Sequence, residues 1–195
     1  MLYFIPRYTE HTDPWCFTSG IFDDTELDSL QAQAKNATQR AIVNDTTDKQ
    51  ELDKIRRSQV SWIERTQESE WIFVKLAHAV ATLNAQFFRF DLTSFGEALQ
   101  LTNYDQSENG MYGWHQDSGG KNQVNRKLSI VVQLTDPAEY EGGNLQIMTS
   151  ANPQNIRKQR GLIAAFPSYQ LHQVTPVTQG SRQSLVAWVS GPPFR

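Results

Sequence analysis

Two histidines, an aspartate and an arginine carry the chemistry that this sequence advertises. His115 and Asp117 are separated by one residue, His172 lies far downstream, and Arg182 follows ten positions later. On a β-strand, side chains at i and i+2 leave the same face, so His115 and Asp117 can grip one metal ion from a single strand. His172 would arrive from a second strand and complete a set of two imidazoles and one carboxylate. That set leaves coordination positions open and is associated with non-haem Fe(II) oxygen chemistry. Hydrolytic zinc also uses three protein ligands and an open position, but zinc alone gives no reason for an arginine at a fixed distance past the third ligand. Arg182 supplies a planar fork of donors that suits a carboxylate. The remaining histidines, His11 and His78, read as ordinary polar or capping residues.

The elements that would position these residues change character along the chain. Asp24-Thr25-Glu26-Leu27 opens a helix, with acids in its first turn, that is expected to run to about Ala34. Residues 35–53 carry no strong period and read as loop, with Ile42-Val43 as a short strand, and Gln59–Ile63 alternates as a strand does. A second helix opens at Ser69-Glu70 and ends near Phe87, with Trp71, Val74, Leu76, Ala77, Val80 and Leu83 as its apolar stripe. From there the chain is a run of short strands: Ala98–Tyr104, Tyr112–Asp117, Leu128–Leu134, Asn144–Met148, Gly161–Phe166, His172–Pro176 and Ser184–Val189. Asn109-Gly110, Gly119-Gly120, Gly142-Gly143 and Gly161 punctuate them. Many short strands with such breaks predict a sandwich or barrel, and a jelly roll is the version that brings distant strands together. The expected organisation is one domain over 1–195, α+β but mainly β, with helical support over about 1–95 and a β core over about 96–195.

Composition narrows the classes. Hydrophobic residues make up 38% and charged residues 20% of 195 residues, which excludes a disordered or fibrous chain. A net charge of −3 and a pI near 5.8 offer no global attraction to nucleic acid or anionic lipid. Two basic clusters, Lys54-Arg56-Arg57 and Arg157-Lys158-Arg160, read as solvated surface. One cysteine, Cys16, precludes an intrachain disulfide and fits a reducing compartment. The first residues, Met1 to Arg7, are too short and wrongly ordered for a signal peptide, and no apolar run is long enough to span a membrane. A cytoplasmic protein is expected; the oligomeric state is not legible.

With these residues in hand, the chain resembles the 2-oxoglutarate- and Fe(II)-dependent oxygenases, and within them the prolyl 4-hydroxylase group and its bacterial PKHD-type relatives. The resemblance covers roughly residues 97–193. It rests on Leu99-Gln100-Leu101-Thr102-Asn103-Tyr104, Tyr112-Gly113-Trp114-His115-Gln116-Asp117, Arg126-Lys127-Leu128-Ser129 and the segment from Leu134 to Leu145. His172-Gln173-Val174-Thr175-Pro176-Val177 and Arg182-Gln183-Ser184-Leu185-Val186-Ala187-Trp188 complete it. The order and spacing together are specific where no single piece is. Two departures stand out: the interval between Tyr104 and His115 is longer than in near relatives, and the chain ends soon after Trp188, short of the helical extension of PKHD-type proteins.

The resemblance implies a double-stranded β-helix (jelly roll) core with N-terminal helices packed on one sheet. It implies Fe(II) held by His115, Asp117 and His172, and 2-oxoglutarate and O2 as cosubstrates, with ascorbate as a further candidate. Arg182 is implied to pair with the far carboxylate of 2-oxoglutarate, with Tyr104, Ser184 and Gln133 around it. Tyr112, Arg126 and Trp188 are implied to line the substrate entrance, although a strand Tyr or Trp in isolation is more often packing. The expected activity is hydroxylation of a prolyl residue in a peptide or protein. Free proline or another small molecule is the enzymatic alternative, and a metal-free jelly-roll binding module is the non-enzymatic one. A nucleic-acid demethylase fits the acidic pI poorly. Residues 118–125, after the His-x-Asp segment, read equally as a loop that can fold over substrate and as an ordinary solvated loop.

Overall fold

The computed structural model describes residues 13–37, 39–42, 49–118 and 125–193. Along the chain these form β1 (Cys16–Thr18), α1 (Asp24–Lys35), β2 (Gln39–Arg40), α2 (Lys49–Ile55), β3 (Arg56–Arg57) and β4 (Gln59–Ile63). Next come α3 (Glu70–Leu83), a π-helical turn (Asn84–Phe88), β5 (Ser94–Phe95), β6 (Leu99–Asp105), β7 (Met111–His115) and β8 (Arg126–Gln133). The last third holds β9 (Tyr140–Gly142), β10 (Leu145–Met148), β11 (Pro153–Asn155), β12 (Ile163–Pro167), β13 (His172–Val174) and the long β14 (Val177–Ser190).

Two antiparallel sheets result. The larger runs β1-β12-β8-β14-β6-β4-β2, with β5 and β9 also paired to β14; the smaller runs β11-β10-β13-β7-β3. Neighbours in space are distant in sequence, as a jelly roll requires.

The two-residue period of each central strand sorts side chains between two cores. In β8, Leu128, Ile130 and Val132 face one way, into a cluster shared with Leu27 and Leu30 of α1 and Phe73, Leu76 and Val80 of α3. In β14 the same side carries Leu185, Ala187 and Val189. The opposite face, with Val131 and Val186, meets Leu145, Ile147 and Val174 of the smaller sheet. The helices thus back the larger sheet, and its other face is free to build a pocket against the smaller sheet.

The helix starts follow their sequence signals. Asp23 caps α1: its carboxylate accepts from Glu26 N and Glu26 in turn accepts from Asp23 N, each at 2.9 Å, a reciprocal capping box. In α3 the stripe is rotated from expectation. The buried face is Ile72, Phe73, Leu76, Ala79, Val80 and Leu83, Val74 is 43% exposed and Ala77 is exposed as well. An apolar-rich helix offers more than one stripe, and docking on the sheet selects among them.

The strand ends differ in one place that matters. The expected strand over Tyr112–Asp117 stops at His115, and Asp117 lies beyond it in a bend. Residues 35–53, read as loop, contain β2 and the start of α2; Ile42 is not in a strand, and Val43 lies outside the described residues. Most of the 118–125 loop, residues 119–124, also lies outside them. Among the described residues no helix is long and apolar enough to cross a membrane.

Candidate functional site

His115 ends β7 and His172 begins β13, and the two are direct cross-strand partners. Pairing across an antiparallel ladder brings same-face side chains together, so the imidazole centroids stand 4.1 Å apart. In each histidine Nδ1 lies 2.8 Å from the carbonyl oxygen two residues upstream, of Gly113 and of Gln170. A carbonyl only accepts, so Nδ1 carries the proton and Nε2 keeps its lone pair. Both Nε2 atoms face Asp117, His115 Nε2 at 3.6 Å from Oδ1 and His172 Nε2 at 3.5 Å from Oδ2.

Asp117 reaches this position from outside the strand. Its backbone N donates to Ser168 O at 2.9 Å. Ser129 Oγ donates to Asp117 Oδ2 at 2.7 Å and lies 3.0 Å from Ser168 Oγ. The strand ladder alone does not aim the carboxylate; a turn after β12 and an inward serine of β8 do. One ligand atom from each of His115, Asp117 and His172 can lie within 4.8 Å of the others.

Electrostatics agree with a metal-ligating role. Burial, then the charge of His172, pushes the His115 imidazole down to about 3, so it is neutral and ready to donate its lone pair. Burial tends to raise Asp117, but His172, His115 and donors from Ser129 and Trp188 outweigh it and hold the carboxyl below its usual range. A neutral His115 and an ionised Asp117, with His172 Nε2 facing that carboxylate, suit Fe(II).

Arg182 is the second anchor. It pairs with Tyr104 across β14 and β6, its guanidinium lies 5.5 Å from the Tyr104 ring, and its residue is 1% exposed. None of its three side-chain nitrogens has a hydrogen-bond partner among the described residues. A buried unpaired guanidinium is costly unless a ligand meets it, and a carboxylate is the fitting ligand. The charge is felt nearby: burial lowers Lys158, and Arg182 lowers it further.

Triad and arginine open into one cavity of about 470 Å³, within the range of small-molecule sites. The inward row of β14 lines it with Arg182, Ser184, Val186 and Trp188, and Gln100, Tyr104, Tyr112 and Arg126 complete much of the wall. A larger groove of about 1060 Å³ runs between α3 and residues 90–98 but holds no metal-ligating group among the described residues.

Two expectations need adjustment. Gln133 does not line the cavity; its amide donates to Arg157 O at 2.7 Å. Arg126 lines it but is already engaged. Glu97 meets Nε at 2.6 Å and Nη2 as well, and the guanidinium stacks 3.8 Å from the Trp188 ring.

Sequence reasoning missed Ser129, Ser168 and Glu97, and it misread Arg56. That residue, taken as solvated surface, is 7% exposed and lines the cavity. Cross-strand pairing of β3 with β7 puts Arg56 opposite Tyr112, its guanidinium 4.6 Å from the ring. Tyr112 in turn stacks on His115 at 3.5 Å.

Comparison with known proteins agrees with this geometry. Residues 99–190 match the model of the 2OG-Fe(II) oxygenase superfamily. A PKHD-type hydroxylase of Idiomarina loihiensis is 36% identical over 89 residues, 46% of this chain and 40% of that protein. One from Prochlorococcus marinus is 39% identical over 83 residues, 43% of this chain and 38% of that protein. The chain therefore spans about two fifths of the length of these curated relatives.

Among solved structures, a Pseudomonas putida prolyl-4-hydroxylase superposes with a TM-score of 0.72 at 19% identity, covering 91% of this chain and 92% of that one. A Trichoplax adhaerens prolyl hydroxylase, in complex with a peptide fragment of the hypoxia inducible factor oxygen degradation domain, gives 0.73 at 15%, covering 92% and 84%. At these identities the likeness is one of fold, the jelly roll. The stretch that contains the His-Asp-His triad and Arg182 is thus the part of this chain that matches the 2OG-Fe(II) oxygenase superfamily.

Proposed function

We propose that this chain is an Fe(II)- and 2-oxoglutarate-dependent hydroxylase that acts on a prolyl residue of a peptide or protein. One observation carries the oxygenase part: a buried guanidinium with no partner among the described residues opens into the same cavity as a convergent His-Asp-His triad. A metal-free binding module needs neither. The prolyl part is supported by the curated relatives, which are PKHD-type hydroxylases, and by solved prolyl hydroxylases of the same fold.

When bound, Fe(II) and 2-oxoglutarate supply the O2 activation that places one oxygen atom on a substrate carbon. The chain's residues set the stage for it. His115 and His172 present Nε2 atoms whose direction is fixed by their Nδ1 hydrogen bonds. Ser129 orients Asp117. Arg182 holds the far carboxylate of the cosubstrate beside Tyr104 and Ser184, which share its cavity. Val131, Leu145, Val174 and Val186 give that cavity apolar walls that exclude water. Tyr112 and Trp188 offer aromatic faces to a pyrrolidine ring. Arg126, held by Glu97, keeps Trp188 in place and retains donors for a peptide carbonyl.

Free proline or another small molecule is the second reading, favoured by the modest size of the cavity. Succinate formation that requires both Fe(II) and 2-oxoglutarate tests the oxygenase. Mass-spectrometric mapping of one added oxygen on proline-rich peptides and on free proline separates the substrates. Oxidation of free amino acids alone rejects the peptide reading; 2-oxoglutarate turnover with no prolyl product removes support for both prolyl readings.

A further inference from the structure

The cavity holds three guanidinium groups whose charges are balanced differently. Arg182 faces the cosubstrate end, and Arg126 is closed by Glu97. Arg56 is the third. It lines the same cavity and is 7% exposed, and its Nε donates to the Ser58 hydroxyl at 2.8 Å. Among the described residues no carboxylate lies within ion-pair distance of it and its Nη1 and Nη2 make no hydrogen bond.

Charge counting singles this group out. Asp117 and a dianionic cosubstrate offset a divalent metal and one guanidinium, and Glu97 offsets another. One positive charge remains, at Arg56, a buried residue whose unpaired charge is unfavourable. Its guanidinium lies over the Tyr112 face and is held at Nε by Ser58, so Nη1 and Nη2 are pre-organised as a fork.

We propose that Arg56 is a specificity-determining residue that reads a carboxylate on the substrate, borne by the hydroxylated proline itself or by the residue next to it. The inference rests on the reading of this cavity as a prolyl-hydroxylase site and adds the charge of the preferred substrate. An acidic substrate pairs with Arg56 and is held over the triad, whereas a neutral analogue leaves the guanidinium unmet.

The test uses matched acid and amide probes on the anaerobic Fe(II)- and 2-oxoglutarate-loaded protein, so that binding is read without turnover. The probes are N-acetylproline against N-acetylprolinamide, N-acetyl-Pro-Asp-amide against N-acetyl-Pro-Asn-amide, and N-acetylleucine against its amide. Binding is followed by tryptophan fluorescence, since Trp62 and Trp188 line the cavity. In at least one prolyl pair the acid is expected to bind about tenfold tighter or more. Arg56→Gln should remove that preference without weakening metal or 2-oxoglutarate binding, and Arg56→Lys should keep part of it. If Arg56→Gln does not fold, Arg56→Met, which keeps the stem over Tyr112, gives the same reading.

Equal binding of acid and amide in all three pairs, binding of no member of any pair, or an acid preference that survives Arg56→Gln overturns the proposal. A preference confined to the leucine pair and lost in Arg56→Gln supports the anionic subsite while rejecting the prolyl reading.

Discussion

Arg182 shows at the residue scale how a strand register becomes chemistry. Its place opposite Tyr104 fixes a buried fork with no partner of its own. Arg182→Ala is expected to weaken 2-oxoglutarate binding by about 2–5 kcal/mol, the range for truncating a buried charged pair, whereas Arg182→Lys keeps the charge and part of the affinity. Calorimetric titration of 2-oxoglutarate checks this, and an unchanged affinity in the alanine variant refutes the role. Ser129→Ala removes the donor to Asp117 Oδ2 and should lower metal affinity or activity about 10–100-fold, as the loss of such orienting partners does. Metal affinity equal to that of the unaltered protein would show that Asp117 needs no such support. The triad and Arg182 were legible in the sequence because each residue type has a known ligand preference and the spacing is covalent. Ser129, Ser168 and Glu97 were not. Ser129 meets partners 12 and 39 residues away, and Glu97 meets one 29 residues away, so only the fold makes those pairs.

Strand identity was largely legible at the scale of elements, while phase and termini were set by tertiary contacts. Strands β6, β8, β10, β12 and β13 fall where alternation and turn residues put them, whereas β14 starts at Val177, ahead of the expected Ser184, and so takes in Arg182. The face that α3 buries was set by docking, which left Val74 outside. The Gly142-Gly143 turn was legible as a turn but not as a close neighbour of the Arg182 side chain. Gly143 has φ +57, and a Cβ there would stand 2.9 Å from Val177 Cγ2 and 3.0 Å from Arg182 Cδ. Gly143→Ala should therefore cost about 1–3 kcal/mol of stability and also displace Arg182. Denaturant melts paired with 2-oxoglutarate titration measure both effects; a variant normal in both respects would show that Arg182 does not depend on this turn. Cys16 offers a pH-dependent case. It sits in β1 paired to Ala165 of β12, and burial, with Asp13 assisting, pushes its thiol up to about 12. The native thiol should resist alkylation at pH 8 and react only after unfolding, read by mass spectrometry. Because the folded pKa is the raised one, its contribution is intact below the unfolded value near 9. It falls as pH rises toward 12, where the folded thiol also ionises.

The whole molecule is an arrangement for bringing distant strands to one cavity. Long β14 touches β8, β6, β5 and β9, so a single strand carries Arg182 to the inner end of the pocket and Trp188 to the Arg126 side. Its odd-numbered side chains lock into the helix-backed core. The jelly roll was legible because many short strands with glycine breaks admit few architectures. The pairing order was not, since antiparallel register depends on contacts that local sequence does not encode. This architecture makes metal and cosubstrate part of the fold's stability. Asp117 and Arg182 are buried charges brought together only by the fold, so ligands that meet them bind the native state alone. At a hundred times its dissociation constant such a ligand adds about 2.7 kcal/mol, or roughly 5–10 °C in Tm for a chain of this size. Thermal melts with Mn(II) as a redox-silent stand-in should show a rise of that order, with a further rise when 2-oxoglutarate joins it. The pair should exceed the sum of the two taken singly, because the cosubstrate is expected to gain from metal and Arg182 at once. EDTA should reverse both shifts, His115→Ala should abolish the metal-dependent one, and Arg182→Ala should keep the metal shift while losing most of the increment from 2-oxoglutarate. A Tm indifferent to metal would mean that the triad does not assemble in solution, and a 2-oxoglutarate shift that persists in Arg182→Ala would place the cosubstrate anchor elsewhere in the cavity.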